Sequence, residues 1–246
     1  MTRISIELVP RSPASLDAEL SVLHERFPSI DTVNVPDLLR FPLRSWEACA
    51  QARRSLRHAI PHLRAMDFAP DAAFPLREKL AASGIDSVLV VSGDPPQDLA
   101  HRVHPTGPVE LIRRIKREAP ELCVYAGFDP YRSGVRSELD YVRAKLDAGA
   151  DGLFSQPLFD RRLLDVWAEQ LAGLELWWGV TPVVGSRTRS YWETKNHAFF
   201  PADFEPTLAW SRAFAARALA WASERGANLY FMPIRVDLAS WLEGVL

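Results

Sequence analysis

The chain has 246 residues, of which 48% are hydrophobic and 24% are charged, and its formal net charge is -2. These values are ordinary for a soluble globular domain with a large core, and they give no electrostatic reason to expect a nucleic-acid partner. Two cysteines are too few for a disulfide framework, and no apolar run approaches the ~18 residues of a membrane span, so we expect a cytoplasmic protein without a membrane partner.

Short apolar runs alternate with amphipathic segments along the chain, and most runs end at a polar or charged residue. In chain order the predicted strands are residues 4–6 before Glu7, 31–33 before Asn34, 59–61 before His62, 88–91 before Asp94, 123–126 before Phe128 and Asp129, 152–155 before Gln156, 176–180, a weaker candidate at 198–200, and 229–231 before Arg235. Between them, apolar residues recur at helical spacing, as at Leu139, Val142 and Leu146.

This alternation predicts parallel βα units rather than the strands of a sandwich. About eight strands in about 250 residues match a closed (β/α)₈ TIM barrel, whose chemistry lies on the loops after the carboxyl ends of the strands. Because no repeat or low-complexity tract marks a boundary, we predict a single domain over residues 1–246. Residues 185–203 have the least regular pattern, and they are our candidate for a lid or an aromatic wall.

The most informative stretch is Val88-Leu89-Val90-Val91-Ser92-Gly93-Asp94-Pro95-Pro96. An all-apolar, β-branched run is typical of a strand covered on both faces, so a charge at its exit is expected to face a site. Gly93 permits close backbone approach, and the two prolines restrict the backbone that carries Asp94. The alternative is an ordinary Gly-Asp-Pro turn at the end of a strand.

Three stretches, taken in order, resemble the methylenetetrahydrofolate reductase family. They are Ser5-Ile6-Glu7-Leu8-Val9-Pro10, Gly93-Asp94-Pro95-Pro96, and Lys145-Leu146-Asp147-Ala148-Gly149-Ala150-Asp151 through Gln156-Pro157-Leu158-Phe159-Asp160. The segment Tyr230-Phe231-Met232-Pro233-Ile234-Arg235 matches more loosely. No single motif is decisive, but the ordered set is much more specific. The resemblance covers nearly the whole chain and also implies a (β/α)₈ barrel.

The resemblance implies reduction of 5,10-methylenetetrahydrofolate to 5-methyltetrahydrofolate in one-carbon metabolism, with NADH or NADPH supplying the hydride. It makes Glu7 the general acid, which needs burial or a nearby negative charge to raise its pKa. Asp94 could supply that charge, and so assist catalysis, while hydrogen-bonding the pterin. The resemblance also implies substrate contacts at Gln156, Arg235 and Phe204, with Arg235 near the acidic tail of the folate.

The resemblance further implies FAD as a relay for the hydride. The matching cofactor positions are Asn34, His62, Ser92, Gly93, Ala126, Phe128, Arg132, Glu138 and Lys145. Three positions depart from the family, because Ser92 stands where an arginine is common, and Gly107 and Phe128 stand where tyrosines are frequent. We therefore expect FAD to be held weakly or to be absent, and we expect no metal.

Plainer interpretations of several residues stay open. Glu7 could be a surface residue paired with Arg11, His62 a core histidine bonded to the backbone, and Lys145 a solvated helix lysine. For the whole protein, the alternatives are an FAD-independent folate reductase with direct hydride transfer and a non-catalytic folate-binding barrel. Whether the chain forms a homo-oligomer is also open.

Overall fold

The computed structural model describes residues 2–96 and 101–246, which form a closed barrel of parallel strands. The strands are β1 (Ile4–Glu7), β2 (Thr32–Val35), β3 (His58–Arg64), β4 (Ser87–Val91), β5 (Cys123–Phe128), β6 (Gly152–Ser155), β7 (Glu175–Val180) and β8 (Asn228–Phe231). Their order around the barrel is the chain order, and β1 closes the ring by pairing with β8. The predicted (β/α)₈ barrel is confirmed.

Helices connect the strands on the outside of the barrel. Those in the described part of the chain are α1 (Pro13–Arg26), α2 (Ser45–Ala52), α3 (Arg77–Ala82), α4 (Pro108–Glu118), α5 (Val135–Asp147), α6 (Arg161–Gln170), α7 (Ser186–Lys195), α8 (Leu208–Arg225) and α9 (Leu238–Leu242). None of these is long and apolar enough to cross a membrane. Because each crossover returns the chain to the same end, the carboxyl ends of all the strands meet at one rim.

Local signals explain where several helices begin and end. Ser12 caps α1 by accepting a hydrogen bond from the Ser15 amide, with Pro13 at the first helical position. Asp160 caps α6 by accepting from the Arg162 amide. The long helix α8 ends at Gly226, whose positive φ of 63° suits glycine.

Alternation along the strands separates two apolar regions. One set of side chains packs outward against the helices, and a second set fills the interior with Ile60, Leu89, Tyr125, Phe154, Trp177 and Tyr230. Gly179 makes room for the Tyr230 ring, because a Cβ at position 179 would lie 2.6 Å from the Tyr230 hydroxyl. That hydroxyl donates to the Ser155 carbonyl at 2.5 Å. These large side chains fill the middle of the barrel.

The predicted strand at residues 198–200 is wrong. These residues form a loop after α7, in which the Ala198 amide donates to the Trp192 carbonyl and Phe200 stacks on Phe204. Ala198 and Phe200 pack in an aromatic cluster while Phe199 is exposed, and the closed ring leaves no edge for another strand. Much of the irregular stretch 185–203 is in fact helix α7.

Candidate functional site

A cavity of about 460 Å³ opens at the carboxyl ends of the strands. Its lower surface includes Leu89, Phe154 and Tyr230 from the barrel interior, and its walls include Glu7 and His62. The volume lies within the range of about 300–1,000 Å³ that is usual for small-molecule sites. The position is the one at which barrel enzymes carry their chemistry.

A larger hollow of about 620 Å³ lies between α6 and α8, near the amino ends of β7 and β8. Two of its charged groups pair with each other, since Asp165 accepts hydrogen bonds from Trp221 at 2.7 Å and from Arg225 at 3.1 Å. The smaller cavity contains buried carboxyl and imidazole groups with displaced pKa values, which are more typical of functional sites. We therefore take the smaller cavity as the candidate active site.

Glu7, Asn34 and His62 form a buried hydrogen-bonded group at the wall of this cavity. The Asn34 side chain donates from Nδ2 to Glu7 Oε2 at 2.9 Å and lies 3.1 Å from His62 Nε2. Ser5 Oγ donates to Asn34 Oδ1 at 2.7 Å, which fixes the orientation of the amide. Because Asn34 Nδ2 can only donate, His62 Nε2 is the acceptor and the imidazole is neutral.

Burial sets the protonation of this group. It raises the pKa of Glu7 to about 8, although the hydrogen bond from Asn34 acts in the opposite direction. Burial also lowers the pKa of His62 to about 3. At neutral pH Glu7 therefore carries a proton and His62 is uncharged. The expected contribution of Asp94 to the Glu7 pKa is wrong, because burial is the cause and Asp94 is an exposed residue at the cavity rim.

The raised pKa of Glu7 predicts a pH-dependent effect of Glu7→Gln on stability. Since the folded state holds this proton more tightly than the unfolded state, the wild type loses stability as pH rises from 4.5 to about 8. Glutamine does not titrate. We expect the unfolding free energy of Glu7→Gln, relative to wild type, to rise by up to about 1.4 kcal/mol per pH unit in this window. Urea denaturation at several pH values measures this difference, and a constant difference would contradict the assignment.

The turn after β4, residues 92–94, brings Asp94 to the cavity rim, and we call it the Asp94 turn. Gly93 has a positive φ of 89°, a conformation that favours glycine. The Asp94 carbonyl accepts a hydrogen bond at 2.7 Å from Arg64, the last residue of β3. Ser92, Gly93 and Asp94 all line the cavity, as does Gln156 from the loop after β6.

Lys145 is buried at the cavity wall, with 2% of its surface exposed, so its interpretation as a solvated lysine is wrong. Its Nζ donates to the Gly127 carbonyl at 2.6 Å and lies 3.8 Å from the centre of the Tyr141 ring. Burial lowers the pKa of Lys145 to about 8, while the charge of Glu138 acts against this shift.

Arg132 lines the cavity mouth and pairs with Glu138, its Nη2 lying 2.5 Å from Glu138 Oε2. Glu138 is itself buried and also accepts the Asp129 amide at 3.0 Å. The lining cations Arg132, Lys145 and Arg64 therefore already contact anionic or carbonyl oxygens. This donor set fits a tightly held dinucleotide diphosphate poorly. Among the described residues no cluster of histidine, cysteine and carboxylate side chains is arranged to hold a metal ion.

Of the remaining predicted site residues, one lines the cavity and three lie outside its lining. Phe128 lines the cavity but packs its ring against Trp167 and Trp178, and Ala126 lies in the core between strands and helices. Phe204 lies outside the cavity lining and stacks on Phe200 at 4.0 Å. Arg235 is exposed beyond β8, with a positive φ of 56° that is unusual for a residue with a side chain.

The structure also brings residues to the cavity that the sequence interpretation missed. They include Arg64, Asp37 and Tyr230. Alternation along β3 could have identified Arg64, because it follows His62 by two residues and so points to the same face. Asp37 lies in the loop after β2, where no periodic signal exists.

The chain forms a closed parallel barrel with a buried acid in a cavity at the carboxyl ends of its strands, which is the end at which barrel enzymes carry their chemistry. The family model for methylenetetrahydrofolate reductase matches residues 45–185, which is more than half of the chain. The chain therefore belongs to the methylenetetrahydrofolate reductase family.

Solved structures with little sequence similarity share the barrel. A protein from Clostridium thermocellum that binds two copies of 5-methyl-5,6,7,8-tetrahydrofolic acid matches with a TM-score of 0.65 and 13% identity, covering 95% of this chain and 90% of that chain. A 2,3-dimethylmalate lyase matches with a TM-score of 0.59 and 14% identity, covering 95% and 75%. Oxaloacetate acetylhydrolase matches with a TM-score of 0.54 and 14% identity, covering 92% and 82%. Identities this low show the fold alone.

Proposed function

We propose that the protein reduces 5,10-methylenetetrahydrofolate to 5-methyltetrahydrofolate, with NADH or NADPH as hydride donor, in cytoplasmic one-carbon metabolism. The observation that carries this proposal is Glu7, a cavity-wall carboxyl whose pKa burial raises to about 8. Membership of the methylenetetrahydrofolate reductase family supports the reaction class. The Clostridium thermocellum barrel that binds 5-methyl-5,6,7,8-tetrahydrofolic acid supports a folate as the ligand.

The chemistry needs an acid before it needs a hydride. The ring that joins N5 and N10 of the substrate must open, so Glu7 donates its proton to N10 as the bond from N10 to the methylene carbon breaks. The electron pair of that bond stays on N10, and an iminium cation forms at N5. The methylene carbon then accepts a hydride, with its two electrons, that the nicotinamide ultimately supplies, and the N5-methyl group forms. The Glu7 carboxylate recovers its proton from solvent.

The residues around Glu7 are suited to proton donation and to the iminium cation that follows. Asn34 donates to Oε2, so the proton resides on Oε1, the oxygen that remains for the substrate. His62 is neutral and adds no positive charge beside the iminium cation. Asp94 and Gln156 lie at the rim, where a carboxylate and an amide can hydrogen-bond the pterin. Arg235, exposed beyond β8, offers a cation to the acidic tail of the folate.

A spectrophotometric assay of NADH oxidation tests the proposed function. We expect consumption of NADH that depends on methylenetetrahydrofolate and yields 5-methyltetrahydrofolate in equal amount. A folded protein that binds 5-methyltetrahydrofolate but consumes neither NADH nor NADPH would instead support the non-catalytic folate-binding barrel. The raised pKa of Glu7 favours the enzyme, because passive binding does not require a buried acid.

We further propose that FAD binds weakly to this site, because the cations at the cavity already have partners. Purified protein is expected to lack stoichiometric flavin absorbance, while added FAD should bind with quenching of its fluorescence and raise activity. Glu138→Gln removes the carboxylate that neutralises Arg132, so it should tighten FAD binding about tenfold, the scale of one charge-assisted contact.

Two results would contradict weak FAD binding. Stoichiometric FAD retained through purification would show tight binding. Full activity in flavin-free protein, together with no binding of added FAD, would replace this proposal with direct hydride transfer from the nicotinamide. Glu243→Gln is the matched control, because Glu243 is exposed and pairs with Arg26, and it should leave FAD affinity unchanged.

A further inference from the structure

Arg64 is a buried cation that the proposed proton and hydride transfers do not use. It is the last residue of β3, and only 8% of its side chain is exposed. Its guanidinium spans from its own strand to the Asp94 turn, since Nη2 donates to the Asp94 carbonyl at 2.7 Å. Nε lies 3.4 Å from Asp67 Oδ2, an ion pair in which Nε makes no hydrogen bond, so the charge of this carboxylate attracts the other side of the guanidinium.

Asp67 is itself held in place by further contacts. Its Oδ1 lies 3.0 Å from His101 Nε2, and its Oδ2 lies 3.4 Å from Arg44 Nη2. Asp67 is therefore a fixed carboxylate partner for the Arg64 guanidinium. A guanidinium held at one end by a carboxylate and at the other by a carbonyl loses little further freedom when a ligand enters.

The Asp94 turn is shaped to fit against Arg64. A Cβ at Gly93 would lie 3.0 Å from both Cβ and Nε of Arg64, and 3.1 Å from Cγ of Met66. Together with the positive φ of 89°, this close approach requires glycine. The Met66 amide also donates to the Ser92 carbonyl at 3.3 Å, so the end of β3 and the turn form one packed unit.

We propose that Arg64 is the positioning residue of the site: by holding the Asp94 turn it sets where the Asp94 carboxylate meets the pterin. This inference rests on the proposed function. Arg64 acts through the peptide of Asp94, so its effect on folate binding should depend on the presence of the Asp94 carboxylate. A general structural role would instead affect folate binding regardless of Asp94.

A double-mutant cycle with Arg64→Lys and Asp94→Asn tests this dependence, with the dissociation constant of 5-methyltetrahydrofolate measured by calorimetry. Lysine keeps the charge but loses the fork that reaches both Asp67 and the Asp94 carbonyl. We expect Arg64→Lys alone to weaken binding about tenfold, and to have little further effect in the Asp94→Asn protein. Equal weakening in both backgrounds would overturn the proposal.

Arg114→Lys is the matched control. Arg114 is also buried, and it donates to the backbone carbonyls of Ala69 and Pro70 at 2.7 Å, away from the Asp94 turn. It should lower thermal stability without changing folate affinity. Folate weakening by Arg114→Lys as large as that by Arg64→Lys would also overturn the proposal.

Hydrogen exchange in the absence of ligand separates this inference from the proposed function. The reporter is the Met66 amide, which bonds to the Ser92 carbonyl of the turn. Arg64→Lys should speed its exchange about tenfold or more, the scale of one lost charge-assisted hydrogen bond. If the wild type binds no folate, the proposed function fails. The exchange rate of the Met66 amide then tests the role of Arg64 without any ligand. An exchange rate that Arg64→Lys leaves unchanged would overturn the role of Arg64 in holding the turn.

Discussion

Replacing Glu7 with glutamine is expected to reduce turnover of methylenetetrahydrofolate by about 10²-fold or more, the usual scale for loss of a general acid. Glutamine preserves the size of the side chain and can still accept the hydrogen bond from Asn34, so the fold and folate affinity should be retained. It has no proton to give to N10. Steady-state kinetics and folate calorimetry on the same preparation measure both quantities.

The dependence of wild-type turnover on pH is a second test of Glu7 as the general acid. Glu7 is protonated below its pKa of about 8, so the turnover number should fall as pH rises through that value. Glu19→Gln is the matched control, since burial raises the pKa of this α1 carboxyl too, but it lies outside the cavity lining. Glu19→Gln should leave turnover unchanged.

Near-wild-type turnover in folded Glu7→Gln would remove Glu7 from the mechanism.

The second large effect is expected for Asp94→Asn, which should weaken folate binding about tenfold or more. The loss follows from replacing a charged acceptor at the cavity rim with a neutral amide. The fall of turnover near pH 8 should keep its position, because burial rather than Asp94 raises the pKa of Glu7. Calorimetry with 5-methyltetrahydrofolate and the pH profile measure the two parts separately.

Asp140→Asn is the control for this change, because Asp140 lies on the exposed face of α5 among surface arginines. It should leave both folate affinity and the pH profile as in the wild type. Unchanged folate affinity in Asp94→Asn would place Asp94 outside the site. A shift of the alkaline limb would instead show that its charge does reach Glu7.

The barrel could be predicted because its signals are local. Most strands are short apolar runs, and helices such as α4 and α5 show an apolar stripe, so these elements can be predicted without long-range information. The failed strand at residues 198–200 shows the limit of that argument. An apolar triplet looks the same whether it pairs in a sheet or, as with Ala198 and Phe200, packs in an aromatic cluster.

The candidate site was predictable where it depends on strand ends. Glu7, Asn34 and His62 each lie at or near the carboxyl end of a strand, and parallel topology brings those ends to one rim. The protonation of Glu7 was foreseen only as a requirement of the chemistry. Its cause, burial, and the amide that links it to His62 depend on the packed barrel.

Contacts between neighbouring loops were not predictable. The sequence places Arg64 and Asp94 thirty positions apart, and nothing in either motif indicates that a guanidinium from β3 reaches a carbonyl after β4. Lys145 shows the same limit, since its helical spacing suits a solvated residue, yet its ammonium donates to the Gly127 carbonyl inside the cavity wall. Such facts follow from how strands and helices pack.

The proposed reduction can be followed with methylenetetrahydrofolate that carries deuterium on its methylene carbon, by identifying the product that forms. With NADH and FAD supplied, we expect 5-methyltetrahydrofolate whose methyl group keeps both deuterium atoms and gains one hydrogen, in amounts equal to the NADH consumed. Glu7→Gln protein should form almost none. If folded wild-type protein binds 5-methyltetrahydrofolate but leaves the labelled substrate unchanged, the protein is not a methylenetetrahydrofolate reductase.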